Sequence, residues 1–330
     1  MIGLDYTPIL ADFFRLMNIN GAASVYRCAM DAGIFNALAD GARNPGELAA
    51  ACSLAERPTA LLLEALAKMG VVEQNQRGFG LTLVTQLLLS SSYRTLGDTY
   101  WAHLPIFLKT GQPLVKMDSP SQSAIHYQTQ SEALAWMSAP GADIAARLLD
   151  AAGALKNATV LDVGAGSAVW SLALARAAAG CMVTAVDWPE VLPIASATAK
   201  RLRLQDRLTL LPGNYHEVPL PAAAFDLAIL GNITHLETPA GNLDLFNRIR
   251  SALKPGGRIA VVDILPGQPA GDLNRALYAL GLALRTEHGR VHTPWEITDW
   301  LAQAGFGGVE VTPLETPPFA VGMITARKAQ

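Results

Sequence analysis

Val160-Leu161-Asp162-Val163-Gly164-Ala165-Gly166 is the stretch on which the fold turns. An apolar, β-branched run ends in two closely spaced glycines, and the amphipathic segment Val169 to Ala178 follows. Strand, tight turn and helix in that order let a nucleotide-type ligand approach the backbone, because glycine leaves no Cβ in the way. The dinucleotide fingerprint G-x-G-x-x-G requires glycine at position 169, where Val169 stands. Asp162 adds a second argument. A carboxylate two positions before the first glycine gains nothing from a pyrophosphate, whereas it can accept hydrogen bonds that orient the loop.

Downstream of the loop, short β-branched runs alternate with Ala/Leu-rich amphipathic segments. Strands are predicted at Thr159 to Val163, Met182 to Val186, Leu208 to Leu211, Leu227 to Leu230 and Arg258 to Val262, with helices at about 167 to 178, 190 to 203 and 240 to 253. This alternation predicts an α/β fold, a Rossmann-like doubly wound parallel sheet. After a helix beginning at Thr293, the segments Val309 to Thr312 and Ala320 to Thr325 predict an antiparallel final hairpin. Asp187 closes the second strand about twenty residues past the glycines, where a carboxylate can accept bonds from both ribose hydroxyls. It can also cap the following helix. Gly213-Asn214-Tyr215 can flank an adenine ring, with the Asn214 amide as partner and Tyr215 as an apolar wall; an ordinary loop asparagine is the competing reading.

The N-terminal part is mostly helical. Ile9-Leu10-Phe13-Phe14-Met17 and Ala22-Val25-Tyr26-Ala29 have helical spacing, Asn44 can cap a helix starting at Pro45, and a second helix opens at Arg57-Pro58. Gly70 to Glu73 and Gly78 to Leu81 then suggest a two-stranded wing, completing a winged-helix order. Phosphate contacts need clustered Lys and Arg, but the second helix shows Leu61, Leu62, Leu63 and Leu66 with Arg57 and Lys68 only at its ends, which argues against nucleic acid. The expected divisions are a winged-helix-like domain at 1–97, a helical linker at 98–150 broken at Pro113 and at Ser119 to Ser123, and the α/β domain at 151–330.

Half of the 330 residues are hydrophobic (51%) and only 16% are charged, an excess that an obligate subunit interface would absorb. No window reaches the roughly 20 apolar residues of a membrane span. Met1-Ile2-Gly3-Leu4-Asp5 lacks the basic start of a secretory signal, so a cytoplasmic protein is expected. Cys28, Cys52 and Cys181 have neither disulfide nor zinc spacing, and no metal is expected. A net charge of −3 gives no pull toward nucleic acid.

These residues resemble the S-adenosylmethionine-dependent O-methyltransferases with an N-terminal winged-helix dimerisation domain, which include plant caffeate and hydroxyindole enzymes and bacterial secondary-metabolite and bacteriochlorophyll relatives. The likeness spans nearly the whole chain: the winged-helix start, Trp101-Ala102-His103-Leu104 to Gly111, the Asp162 loop, Asp187-Trp188-Pro189, and Ala252-Leu253-Lys254-Pro255-Gly256-Gly257-Arg258. The loop pattern D/E-x-G-x-G-x-G is met at Asp162, Gly164 and Gly166 and departs at Ala168. The resemblance implies S-adenosylmethionine as cofactor and S-adenosylhomocysteine as product. The expected binding residues are Asp162, Gly164, Ala165, Gly166, Asp187, Trp188, Asn214, Tyr215 and Asn232, with Asp162 orienting either the loop or the methionine ammonium. It further implies a homodimer formed through the N-terminal helices, with the partner contributing to the substrate pocket.

The resemblance also carries a general-base histidine onto His235, which follows the strand Leu227 to Leu230. Two neighbours depart from the pattern: Leu236-Glu237 stands where the family has an acidic and then an aromatic residue, and Gly231 replaces a lysine. The family's orienting carboxylates align poorly here. Val291 occupies one acidic position, and Glu287 is the candidate substitute. Glu296 has a simpler explanation in the capping box Thr293-Pro294-Trp295-Glu296. His103, Tyr127, Trp136 and Met137 are candidates for lining an apolar acceptor pocket. The expected reaction is methyl transfer to a hydroxyl of a small, largely apolar metabolite; transfer to sulfur or carbon, or non-methylating chemistry, is the alternative.

Overall fold

In the computed structural model the described residues are 6–91, 93–265, 273–314, 316 and 321–329, and they form two compact units, Met1–Asp98 and Thr99–Gln330. The first unit opens with helix α1 (Thr7–Asp31). Its two apolar segments join in one continuous helix, because Gly21 costs only about 1 kcal/mol in a helix and nothing crowds it. Ile9, Leu10, Phe13, Phe14, Leu16, Met17 and Ile19 are each more than half exposed within the single chain. Next come α2 (Ile34–Ala39), α3 (Pro45–Ala51) and α4 (Glu56–Lys68). Asn44 accepts from Glu47 N at 2.9 Å while the Glu47 carboxylate accepts from Asn44 N at 3.0 Å, so the start of α3 is a full capping box. Strands β1 (Val72–Asn75) and β2 (Gly78–Leu81) pair antiparallel as the wing, and α5 (Leu83–Ser90) closes the unit. The apolar face of α4, Leu63 and Leu66, is buried in this unit's core with Ile34, Phe35 and Leu48.

The second unit begins with α6 (Asp98–Thr110) and the 30-residue α7 (Pro120–Leu149). The break expected over Ser119 to Ser123 is confined to Ser119, since Pro120 at the first helical position starts the helix at once. There follow β3 (Thr159–Val163), α8 (Val169–Ala177), β4 (Met182–Asp187), α9 (Leu192–Leu202), β5 (Leu208–Pro212), β6 (Phe225–Gly231), α10 (Pro239–Ala252) and β7 (Leu253–Ile264). Helices α11 (Leu273–Ala283) and α12 (Pro294–Gln303) lead to β8 (Phe306–Leu314) and β9 (Val321–Lys328). Ala320, expected to open the last strand, lies outside the described residues.

The sheet order is β5-β4-β3-β6-β7-β9-β8, parallel except for β9, which runs antiparallel to both neighbours. Helices α7, α8 and α9 bury Ala142, Leu172 and Ala195 against one face, while α10 and α12 bury Phe246, Ile249, Ile297 and Leu301 against the other. With both faces covered, the central strands are mainly apolar, with the buried Asp162 and Asp263 as exceptions. Strand order reverses between β3 and β6, and a crevice opens there beyond the carboxyl ends of the strands. Among the described residues no helix is long and apolar enough to cross a membrane.

Candidate active site

The loop after β3 turns through Gly164 (φ 64°) and Gly166 (φ 56°), a left-handed conformation that suits glycine. A Cβ on Gly164 would stand 2.3 Å from Ile233 Cδ1, and one on Gly231 would stand 2.2 Å from Trp170 Cδ1. Both positions must lack a side chain for the crevice to stay open. Asp187, at the end of β4, accepts from Gly166 N at 2.6 Å and from Trp188 N at 2.7 Å, so it ties the loop to the neighbouring strand. It caps no helix, since α9 starts only after Val191. Burial raises the Asp187 pKa against the pull of those two N–H donors.

The crevice is lined by Gly164, Ala165, Gly166, Asp187, Trp188, Tyr215, Asn232 and Tyr127, together with Trp170, Ile233 and Leu236. A backbone cradle, a strand-end carboxylate and aromatic walls fit an adenosyl amino acid. Two expected residues sit differently. Asp162 is 1% exposed behind the loop and accepts from Ser171 Oγ in the first turn of α8. Burial, helped by the Asp187 charge, pushes its pKa up to about 7. Asn214 accepts from His216 N at 3.0 Å inside its own turn, while Tyr215 faces the crevice and donates its hydroxyl to Glu237 Oε1 at 2.6 Å.

His235 lies in the short turn after β6, only 6% exposed. Its Nδ1 is 2.7 Å from Asp263 Oδ1. Asp263 lies one residue before the carboxyl end of β7 and accepts further from Thr234 Oγ1 (2.5 Å), His235 N (3.1 Å) and Ile264 N (2.8 Å). Burial alone would raise its pKa, but His235 and these donors outweigh it and hold the carboxyl below the usual range. An ionised carboxylate on Nδ1 fixes the proton there and leaves Nε2 as the basic nitrogen. Tyr278 of α11 places its hydroxyl 3.2 Å from that Nε2.

The carboxylate at the histidine is therefore Asp263, and not Glu287, which pairs with Lys116 at 3.0 Å on the surface. Strand β7 runs past the predicted Val262, so its end carries Asp263 beside the strand that leads to His235. An acidic residue at a parallel strand's carboxyl end was the signal available for it. Of the acceptor-pocket candidates, Tyr127 lines the crevice. His103 instead meets the Gln112 carbonyl at 3.0 Å, Met137 is not among the lining residues, and Trp136 is 53% exposed over a separate surface groove with Ala139 and Arg201.

Comparison with known proteins matches an O-methyltransferase domain over residues 127–307, more than half of the chain. The chain belongs to the O-methyltransferase family. An O-methyltransferase dimerisation domain matches residues 14–91. Acetylserotonin O-methyltransferase of Mus musculus is 29% identical over 323 residues, covering 89% of this methyltransferase and 82% of the relative. The tetracenomycin polyketide synthesis 8-O-methyl transferase TcmO of Streptomyces glaucescens is 30% identical over 235 residues, 68% of each chain. The structure of human N-acetylserotonin methyltransferase in complex with S-adenosylmethionine shares the fold, with a TM-score of 0.74 at 21% identity over the full length of both chains. The methyltransferase is S-adenosylmethionine-dependent, and its fold is the one it shares with that S-adenosylmethionine-bound enzyme.

Proposed function

We propose that the enzyme methylates a hydroxyl of a small, largely apolar aromatic or other secondary-metabolite acceptor, with His235 as general base and Asp263 as its orienting carboxylate. The observation that carries this reading is the 2.7 Å His235–Asp263 pair at the strand ends bordering the crevice. Gly164, Ala165, Gly166, Asp187, Trp188, Tyr215 and Asn232 would hold the donor, with Asp162 acting through the loop and Asn214 through its turn. S-adenosylmethionine, when bound, supplies a methyl group already activated on a sulfonium. The chain's own tasks are to align the acceptor oxygen and to take its proton on His235 Nε2 as negative charge develops. Asp263 then stabilises the imidazolium. Tyr127, Ile233 and Leu236 offer the acceptor an apolar wall. Relatives named for acetylserotonin and for tetracenomycin polyketide synthesis support a small-molecule acceptor. The exposed apolar side chains of α1 and the dimerisation-domain match support a homodimer.

Methyl-labelled S-adenosylmethionine incubated with hydroxyindoles, phenols, hydroxylated polyketides and thioethers should give label on an acceptor oxygen. Label that stays wholly on the donor defeats the reading. His235→Gln is expected to lower kcat by about 10² or more without changing S-adenosylhomocysteine affinity. A His235→Gln enzyme that still methylates at full rate would point to sulfur or carbon as the accepting atom.

A further inference from the structure

His235 has one nitrogen to offer an acceptor. With Nδ1 bonded to Asp263, the lone pair is on Nε2, and it faces the Tyr278 hydroxyl at 3.2 Å. The two rings meet edge to face, 85° apart with centroids at 5.9 Å. A general base works within about 2.6–3.2 Å of the hydroxyl it deprotonates, so Tyr278 stands where the acceptor's hydroxyl has to be. Because Asp263 can only accept, Tyr278 is the donor in its bond to Nε2. An acceptor hydroxyl therefore reaches the base by exchanging one O–H···N bond for another. The exchange leaves the number of bonds unchanged, and its free energy follows the difference in donor strength.

We propose that Tyr278 sets the affinity threshold of the acceptor site: a resident phenol that every acceptor hydroxyl must displace from His235 Nε2, so that strong donors such as phenols and enols bind while weaker-donating aliphatic alcohols are held below useful affinity. This inference rests on the reading of His235 as the base.

Tyr278→Phe keeps the ring and removes the competing donor. Calorimetry on the S-adenosylhomocysteine-loaded enzyme with phenol, 4-cyanophenol and cyclohexanol reads the effect directly. In wild type, affinity should fall in the order 4-cyanophenol, phenol, cyclohexanol. In Tyr278→Phe all three should bind about five- to ten-fold tighter, the size of one neutral hydrogen bond. The gain should vanish when Tyr278→Phe is made in a His235→Gln background, a coupling that a merely structural tyrosine would not show. Equal affinities in wild type and Tyr278→Phe, an equal gain in both backgrounds, or no measurable binding to Tyr278→Phe overturns the proposal. Failure of the base reading looks different: His235→Gln would retain methyl transfer whatever the binding cycle gives.

Discussion

On the proposed reading of the crevice, its donor end is made mainly of backbone and its acceptor end of side chains. At the donor end Gly164 and Gly166 would present main chain to the ligand, and Asp187 secures their loop through Gly166 N. At the acceptor end His235, Asp263 and Tyr278 come from the turn after β6, the end of β7 and α11, with separations of 28 and 43 residues from the histidine. A backbone surface has to be written contiguously. A cluster of side chains can be assembled from distant segments, and its positions are fixed only when the sheet forms. The two ends should therefore fail differently when altered, one in binding and the other in turnover.

Asp263→Asn gives the largest expected effect. The imidazolium formed by proton transfer loses its counter-charge, and the variant should lose about 10²-fold in kcat, with S-adenosylhomocysteine affinity within about two-fold of wild type. A loss appearing in donor affinity instead would erase the division between the ends. Gly164→Ala tests the other side. The new Cβ meets Ile233 Cδ1 at 2.3 Å on a backbone held at φ 64°, so affinity for S-adenosylhomocysteine should drop about tenfold or more by calorimetry. Unchanged affinity would show that the loop can shift without harm.

The same division explains what could be read from the chain alone. The run ending in Asp162-Val163-Gly164-Ala165-Gly166 and the strand-end Asp187 announced the glycine turn beside β4, and the alternation after it announced the sheet, because each depends on local spacing. The helix cap at Asn44 and the capping box at Thr293 were legible for the same reason. Asp263 was less so: its place at the carboxyl end of a strand was a signal, but nothing near it in sequence says that β7 runs past Val262 or lies beside β6. Glu287 attracted attention through proximity in an imperfect alignment, while its side chain is drawn outward to Lys116. Trp136 and Met137 follow Tyr127 on α7, yet helical rotation gives each its own surroundings.

Asp162 allows a test by pH. In an unfolded chain an aspartate ionises near pH 4, whereas the buried Asp162 keeps its proton up to about 7. Between those values the native state binds the extra proton, so the stability of the ligand-free enzyme falls as pH rises through the window and levels off above about 7. Asp162→Asn has no such proton to lose. Relative to the variant, the wild-type melting temperature should drop by roughly 5 °C between pH 5 and pH 8, read by calorimetry. Parallel curves would mean that Ser171 holds the carboxylate ionised throughout.

Ala168 carries the smallest expected effect and refines the idea that the donor end is a backbone device. It stands where the related loop pattern has its third glycine, and it adopts φ 56° just before α8 while wholly buried. Replacing it with glycine relieves about 1–2 kcal/mol of left-handed strain. Against this, glycine adds about 0.4–1 kcal/mol of unfolded-chain entropy and removes a buried methyl group worth about 0.8 kcal/mol. These effects nearly cancel, so Ala168→Gly should shift the melting temperature by no more than about 2 °C and leave S-adenosylhomocysteine affinity unchanged. A larger rise would mean that relief of strain outweighs the rest, and a larger fall would give that weight to the methyl contact with the core. A change in affinity would overturn the distinction, since it would require a side chain that lies behind the loop to act on the ligand in front of it.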